Sequence, residues 1–130
     1  MKHWQTAAAA TLSGLLTAAA FPPLQWEPAA WIALAPLILA AANEPPRRAA
    51  AAGLLAGLVF WLIGVAWLTR VTTIGWAVLA LYCALYTSLF AIGVSILFRL
   101  ARASPLDGFL RLAGAAFLWT SLEFIRYRLL

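Results

Sequence analysis

Long uncharged stretches separated by short polar breaks dominate the chain. The clearest is residues 49–68, twenty consecutive residues without a charge. At about 1.5 Å of rise per residue, such a stretch forms a helix of about 30 Å, which matches the hydrocarbon core of a bilayer. The pattern therefore predicts an all-α fold, a polytopic transmembrane helix bundle that forms a single domain.

The polar breaks divide the chain into about five predicted membrane helices. Their predicted ranges are 4–21, 28–42, 49–68, 74–98 and 111–128. The second range is shorter than a usual span, so it either crosses with little tilt or is re-entrant. The three alanines at 18–20 also resemble a signal-peptide cleavage site, but we interpret the first range as a retained helix.

Composition and charge exclude two other classes of protein. Hydrophobic residues make up 65% of the chain and charged residues 10%, against roughly 45–50% and 25% in soluble domains. The net charge of +5 comes from basic residues that stand singly or in pairs between apolar stretches. Because they do not form one basic face, nucleic acid is not an expected partner.

The basic residues also predict an orientation. With the amino terminus in the cytoplasm, six basic residues fall inside and three outside, which is the bias that membrane proteins show. The inner six are Lys2, Arg47, Arg48, Arg99, Arg102 and Arg111, and the outer three are Arg70, Arg126 and Arg128. Four tryptophans flank the two predicted outer turns and are interpreted as interfacial anchors, namely Trp26, Trp31, Trp67 and Trp76.

Few residues suggest chemistry. His3 has no acidic or nucleophilic partner near it in sequence, and Cys83 has neither a base nor a cation beside it, so we interpret Cys83 as a packing residue. No residue spacing suits a metal, a glycine-rich phosphate loop or a catalytic triad. The sequence predicts no cofactor and no metal site.

The ionisable pair Glu123 and Arg126 is the strongest candidate for a site. The two residues lie three apart on one predicted helical face, at or near membrane depth, where charges are costly. They are either a functional site or a structural ion pair near the outer interface. Gly53, Gly57 and Gly64 are candidates for helix packing, since small residues at this spacing let another helix approach closely.

The order of several short segments resembles the amino-terminal membrane region of bacterial apolipoprotein N-acyltransferases. The segments are LSGLL at 12–16, FPP at 21–23, WIALAPL at 31–37, PRR at 46–48, the glycine-rich stretch 53–67, LYTSLF at 85–90, LW at 118–119 and LEFIR at 122–126. The last two are the most specific part of the resemblance, which covers essentially the whole chain.

That resemblance implies a function. Members of the family have eight membrane helices and a periplasmic nitrilase-like domain, in which a Glu-Lys-Cys triad takes an acyl chain from a phospholipid as a thioester. The acyl chain then passes to the diacylglyceryl cysteine of a lipoprotein. The resemblance thus implies the bacterial cytoplasmic (inner) membrane, phospholipid as a partner, and a lipoprotein substrate if a catalytic domain is supplied.

The chain departs from the family after the fifth predicted helix. Its 130 residues hold no nitrilase-like domain, and Cys83 does not match the family's nucleophile. We therefore expect a truncated product that is inactive alone, with Glu123 and Arg126 shaping a lipid entry region. Two alternatives are a small non-enzymatic membrane scaffold or lipid-binding protein, and part of a transporter in which this pair lines a path.

Overall fold

The computed structural model describes residues 1–100 and 105–130, so the predicted inner residue Arg102 lies outside the described part. The helices are α1 His3–Ala19, α2 Glu27–Ile32, α3 Ala35–Asn43, α4 Pro46–Gly64, α5 Thr73–Leu100 and α6 Pro105–Leu129, with a 3₁₀ helix at Ala66–Arg70 between α4 and α5. The described part contains no strand. The predicted all-helical bundle is confirmed.

The second predicted helix, 28–42, differs from the structure, which has two short helices there. Pro36 explains the break, because its ring would clash with the carbonyl of Ile32 one turn earlier and it has no N–H to donate. α2 therefore ends at Ile32, and Pro36 occupies the first turn of α3, where a missing N–H costs nothing.

The third predicted helix, 49–68, is shifted toward the amino terminus in the structure. Pro46 is the first residue of α4, a position for which its fixed backbone angle is suited. Arg47 and Arg48 accordingly belong to the first turn of the helix and not to a loop. α4 ends at Gly64, and the chain continues as the 3₁₀ helix, in which Leu68 N donates to Val65 O at 2.9 Å.

The other predicted ranges differ mainly at their ends. α1 ends before Pro22, which cannot continue a helix. α6 begins several residues before the predicted 111, and Asp107 stands in its first turn, where a carboxylate favours the helix dipole. Within the described residues, three helices are long and apolar enough to cross a membrane, Pro46–Gly64, Thr73–Leu100 and Asp107–Leu129. The chain is a multi-pass membrane protein.

α4 and α5 pack closely along their length and form the centre of the bundle. A Cβ atom on Gly53 would lie 2.7 Å from Thr87 O, and one on Gly57 would lie 2.8 Å from Ala84 Cα, so the missing side chains allow this approach. On the other side of α4, Gly14 of α1 sits equally close to the carbonyl oxygen of Ala56. Small residues thus replace large apolar ones in much of the core.

α1, α4 and α6 run in one direction and α5 runs in the other, so the bundle has two ends. We call the end that carries the start of α1, the α3–α4 turn and the start of α6 the proximal end. The distal end carries the α1–α2 turn, the 3₁₀ helix and the end of α6. The described basic residues are Lys2, Arg47, Arg48, Arg99 and Arg111 toward the proximal end, and Arg70, Arg126 and Arg128 toward the distal end.

Candidate functional site

A cavity of about 640 Å³ opens near the distal end; we call it the distal cavity. It lies between α1, α2, α4, the 3₁₀ helix and α6. Its lining residues are Thr17, Ala20, Phe21, Pro22, Ala30, Ala33, Leu34, Phe60, Trp61, Gly64, Trp67, Trp119, Glu123 and Arg126. Most are apolar or aromatic, and the predicted pair Glu123 and Arg126 supplies the charge.

One face of α6 brings this pair into the cavity. Trp119, Glu123 and Arg126 are spaced by four and three residues, so they share a helical face. The Trp119 ring packs edge-on against Phe90 of α5, with 5.0 Å between the ring centroids. This contact fixes the rotation of α6 and directs the two charged side chains at the cavity.

The pair is a hydrogen-bonded ion pair with an aromatic partner. Arg126 Nη2 donates to Glu123 Oε2 at 2.5 Å, and the side chains are 19% and 38% exposed. The guanidinium carbon lies 4.7 Å from the centre of the Trp61 ring on α4, a cation–π contact. Arg126 Nε is buried, and its N–H donates to no partner within the described part of the chain. Glu123 and Trp61 therefore fix the guanidinium, which still has N–H groups that could donate to a ligand.

Aromatic rings form the wall opposite α6. Phe21 packs on Phe60 at 5.5 Å between centroids, and Phe60 packs on Trp61 at 4.7 Å. An apolar cavity with a single oriented charged pair suits an amphipathic ligand, whose apolar part lies against the rings and whose polar group meets the guanidinium. The described lining residues offer a binding arrangement, and among them no nucleophile is paired with a base.

Cys83 has a neighbour that the sequence did not reveal. Its thiol is buried, and the charged pair Arg126 and Glu123 lies close enough to influence it electrostatically. The cation comes from α6, 43 positions later in the chain, across the α5–α6 contact. Cys83 does not line the distal cavity.

The remaining predicted site residues lie as follows. Gly64 differs from the other two packing glycines, because it ends α4 and a Cβ atom there would meet only a Phe60 ring carbon at 3.7 Å. All four predicted anchors are at the distal end, and Trp31 is 92% exposed. Trp76 Nε1 donates to Leu62 O at 3.0 Å, which ties the start of α5 to α4.

A buried carboxylate at the proximal end was missed by the sequence reasoning. Glu44, in the turn between α3 and α4, is 3% exposed. Thr6 Oγ1 donates to its carboxylate at 2.8 Å, and Arg48 Nη1 lies 3.5 Å away. The Thr6 hydrogen bond in particular lowers the pKa of Glu44, despite the opposing effect of burial. Ser95 Oγ donates to Glu44 O at 2.6 Å, so this turn joins α1, α4 and α5.

Comparison with known proteins finds similarity over most of the chain. Residues 13–130 match the family model described as the apolipoprotein N-acyltransferase N-terminal domain. An apolipoprotein N-acyltransferase of Geobacter metallireducens is 34% identical over 121 residues, which cover 90% of this chain and 23% of that protein. The chain thus spans about a quarter of the length of this curated relative.

Proposed function

The chain belongs to the apolipoprotein N-acyltransferase family, and from this we propose that it forms the amino-terminal membrane part of an enzyme that acylates lipoproteins. The acyl chain would come from a phospholipid and pass to the amino group of the diacylglyceryl cysteine at a lipoprotein's amino terminus. The match over residues 13–130 carries this proposal. The reaction itself would need a catalytic domain in addition to these 130 residues.

The distal cavity is the part of this chain that we assign to the reaction. Its aromatic wall suits an acyl chain, and its ion pair suits the ester or phosphate groups at the end of that chain. Glu123 holds the Arg126 guanidinium in place, and Trp61 holds its face. We propose that the pair braces the end of α6 and shapes the region through which a lipid enters.

Orientation follows from the two ends of the bundle. Five described basic residues lie toward the proximal end and three toward the distal end. By the positive-inside rule this bias supports our proposal that the proximal end lies in the cytoplasm and the distal cavity on the outer side of the bacterial inner membrane. A compartment-sensitive reporter fused behind Leu130 tests this, because activity of the reporter in the cytosol would contradict it.

Substitutions in a full-length relative test the role of the pair. Arg126→Gln and Glu123→Gln, made at the matching positions, should each lower acyl transfer to a diacylated lipopeptide in proteoliposomes by about tenfold, since each leaves a charge without its partner. Arg128→Gln is the matched control, because Arg128 is exposed and lies outside the cavity.

Two outcomes separate a role in transfer from a structural one. A loss of transfer with normal expression and thermal stability, together with an unaffected Arg128→Gln variant, supports the assignment. Full transfer by both variants of the pair at normal expression would show that the ion pair only stabilises the helix.

A further inference from the structure

A second, smaller cavity lies at the proximal end, between α1 and α4. Its volume is about 170 Å³, and we call it the proximal groove. Its lining residues are His3, Thr6, Ala7, Glu44, Arg48, Ala51, Ala52 and Leu55. The last three belong to one face of α4 and, with Ala7, give the groove an apolar half, while the polar residues stand toward the end of the bundle.

The charge at the mouth of this groove is positive. Arg48 is 53% exposed, and its contact with Glu44 is a single long one of 3.5 Å. The Glu44 carboxylate is itself buried and already accepts a hydrogen bond from Thr6. Arg48 thus keeps most of its five donors. Arg47 is exposed beside it, and Lys2 is exposed at the start of α1.

The amino-terminal end of α4 adds to this positive potential. Its first turn has no side-chain cap, and the aligned peptide groups of the helix put the positive end of the helix dipole there. Basic pockets between membrane helices are recognised by anionic lipid headgroups. A lipid also explains the apolar half of the groove, which a free anion would leave unused.

We propose that the proximal groove binds an anionic phospholipid, with the phosphate at Arg48 and the glycerol end of the acyl chains along Ala51 and Leu55. The groove shares no lining residue with the distal cavity and lies at the other end of the bundle. This site is therefore separate from the lipid entry region proposed above, and its occupancy does not depend on acyl transfer.

Native mass spectrometry of the purified chain in detergent tests the proposal. The probes are dioleoylphosphatidylglycerol, dioleoylphosphatidylcholine with the same acyl chains, and inorganic phosphate. We expect one phosphatidylglycerol molecule to be retained in preference to phosphatidylcholine. Arg48→Gln should weaken phosphatidylglycerol binding about fivefold, the effect of one basic residue at an anionic surface. Arg70→Gln makes the same charge change on an exposed residue at the distal end and should leave binding unchanged.

Two further variants keep the test decisive if Arg48→Gln folds poorly. Arg48→Lys keeps the positive charge and should retain most of the binding. Ala51→Leu adds bulk on an exposed part of the lining and should weaken binding without a change in helical content. Equal retention of the two lipids, equal losses in the Arg48→Gln and Arg70→Gln variants, or inorganic phosphate binding as tightly as phosphatidylglycerol would each overturn the proposal.

Discussion

A single methyl group on Gly57 should test how tightly α4 and α5 are packed. In the Gly57→Ala variant, the new Cβ would lie 2.8 Å from Ala84 Cα and 2.9 Å from Thr87 Cβ. Neither neighbour is the free end of a flexible side chain, so neither can rotate away. The two helices would have to separate, or α5 would have to shift along α4.

Two opposing effects set the magnitude of the change. Replacing glycine by alanine inside a helix stabilises it by about 1 kcal/mol through backbone entropy. Inserting a methyl group into a filled contact destabilises by about 1–3 kcal/mol. Because the contact at Gly57 involves main-chain atoms, we expect the upper part of this range and a net loss of about 1–2 kcal/mol.

Unfolding in detergent, followed by far-ultraviolet circular dichroism, measures this loss. Gly64→Ala is the matched control on the same helix, since its Cβ would meet only a ring carbon of Phe60 at 3.7 Å. The control should be neutral or slightly stabilised. A Gly57→Ala variant as stable as the control would refute the close approach of α4 and α5.

Further predictions concern the two charged regions. The pKa of Glu44 is lower in the folded protein than its ordinary value of 4.5, so ionised Glu44 stabilises the fold fully above pH 4.5. This stabilisation is lost as the pH falls through the folded-state pKa. Glu44→Gln should therefore reduce the fall in melting temperature at acidic pH. Ser95→Ala should lower the free energy of unfolding by about 1–2 kcal/mol, because it removes the donor to a buried carbonyl. A double-mutant cycle between Trp61→Leu and Arg126→Gln should give a coupling of about 1 kcal/mol in unfolding experiments, and additive effects would contradict the cation–π contact.

The fold class could be predicted from the sequence because hydrophobicity decides it over long stretches. Twenty uncharged residues allow a membrane helix wherever its ends fall. The residues at which helices begin and end were harder to predict from the sequence. The third predicted helix began at residue 49, whereas Pro46 is the first residue of the helix in the structure. Pro36 lay within one apolar stretch, and its ability to divide that stretch into two helices was overlooked.

The candidate site could be predicted only in part. Glu123 and Arg126 were identifiable because their spacing on one helix is a local property. Their partners Trp61 and Cys83 are on α4 and α5, and such contacts depend on how far one helix slides along another. Glu44 gave no local signal of burial. It meets Thr6 only because α3 brings the chain back to the start of α1.

The charged pair of the distal cavity lies on α6, the least buried of the three long apolar helices. In the most apolar 18 residues of each helix, 6% are buried in α6, compared with 39% in α5 and 33% in α4. Glycines bring α4 against α5 and α1, so three walls of the cavity belong to the closely packed part of the bundle. The contacts of α6 that bear on Arg126 include Trp119 on Phe90 and the guanidinium on Trp61.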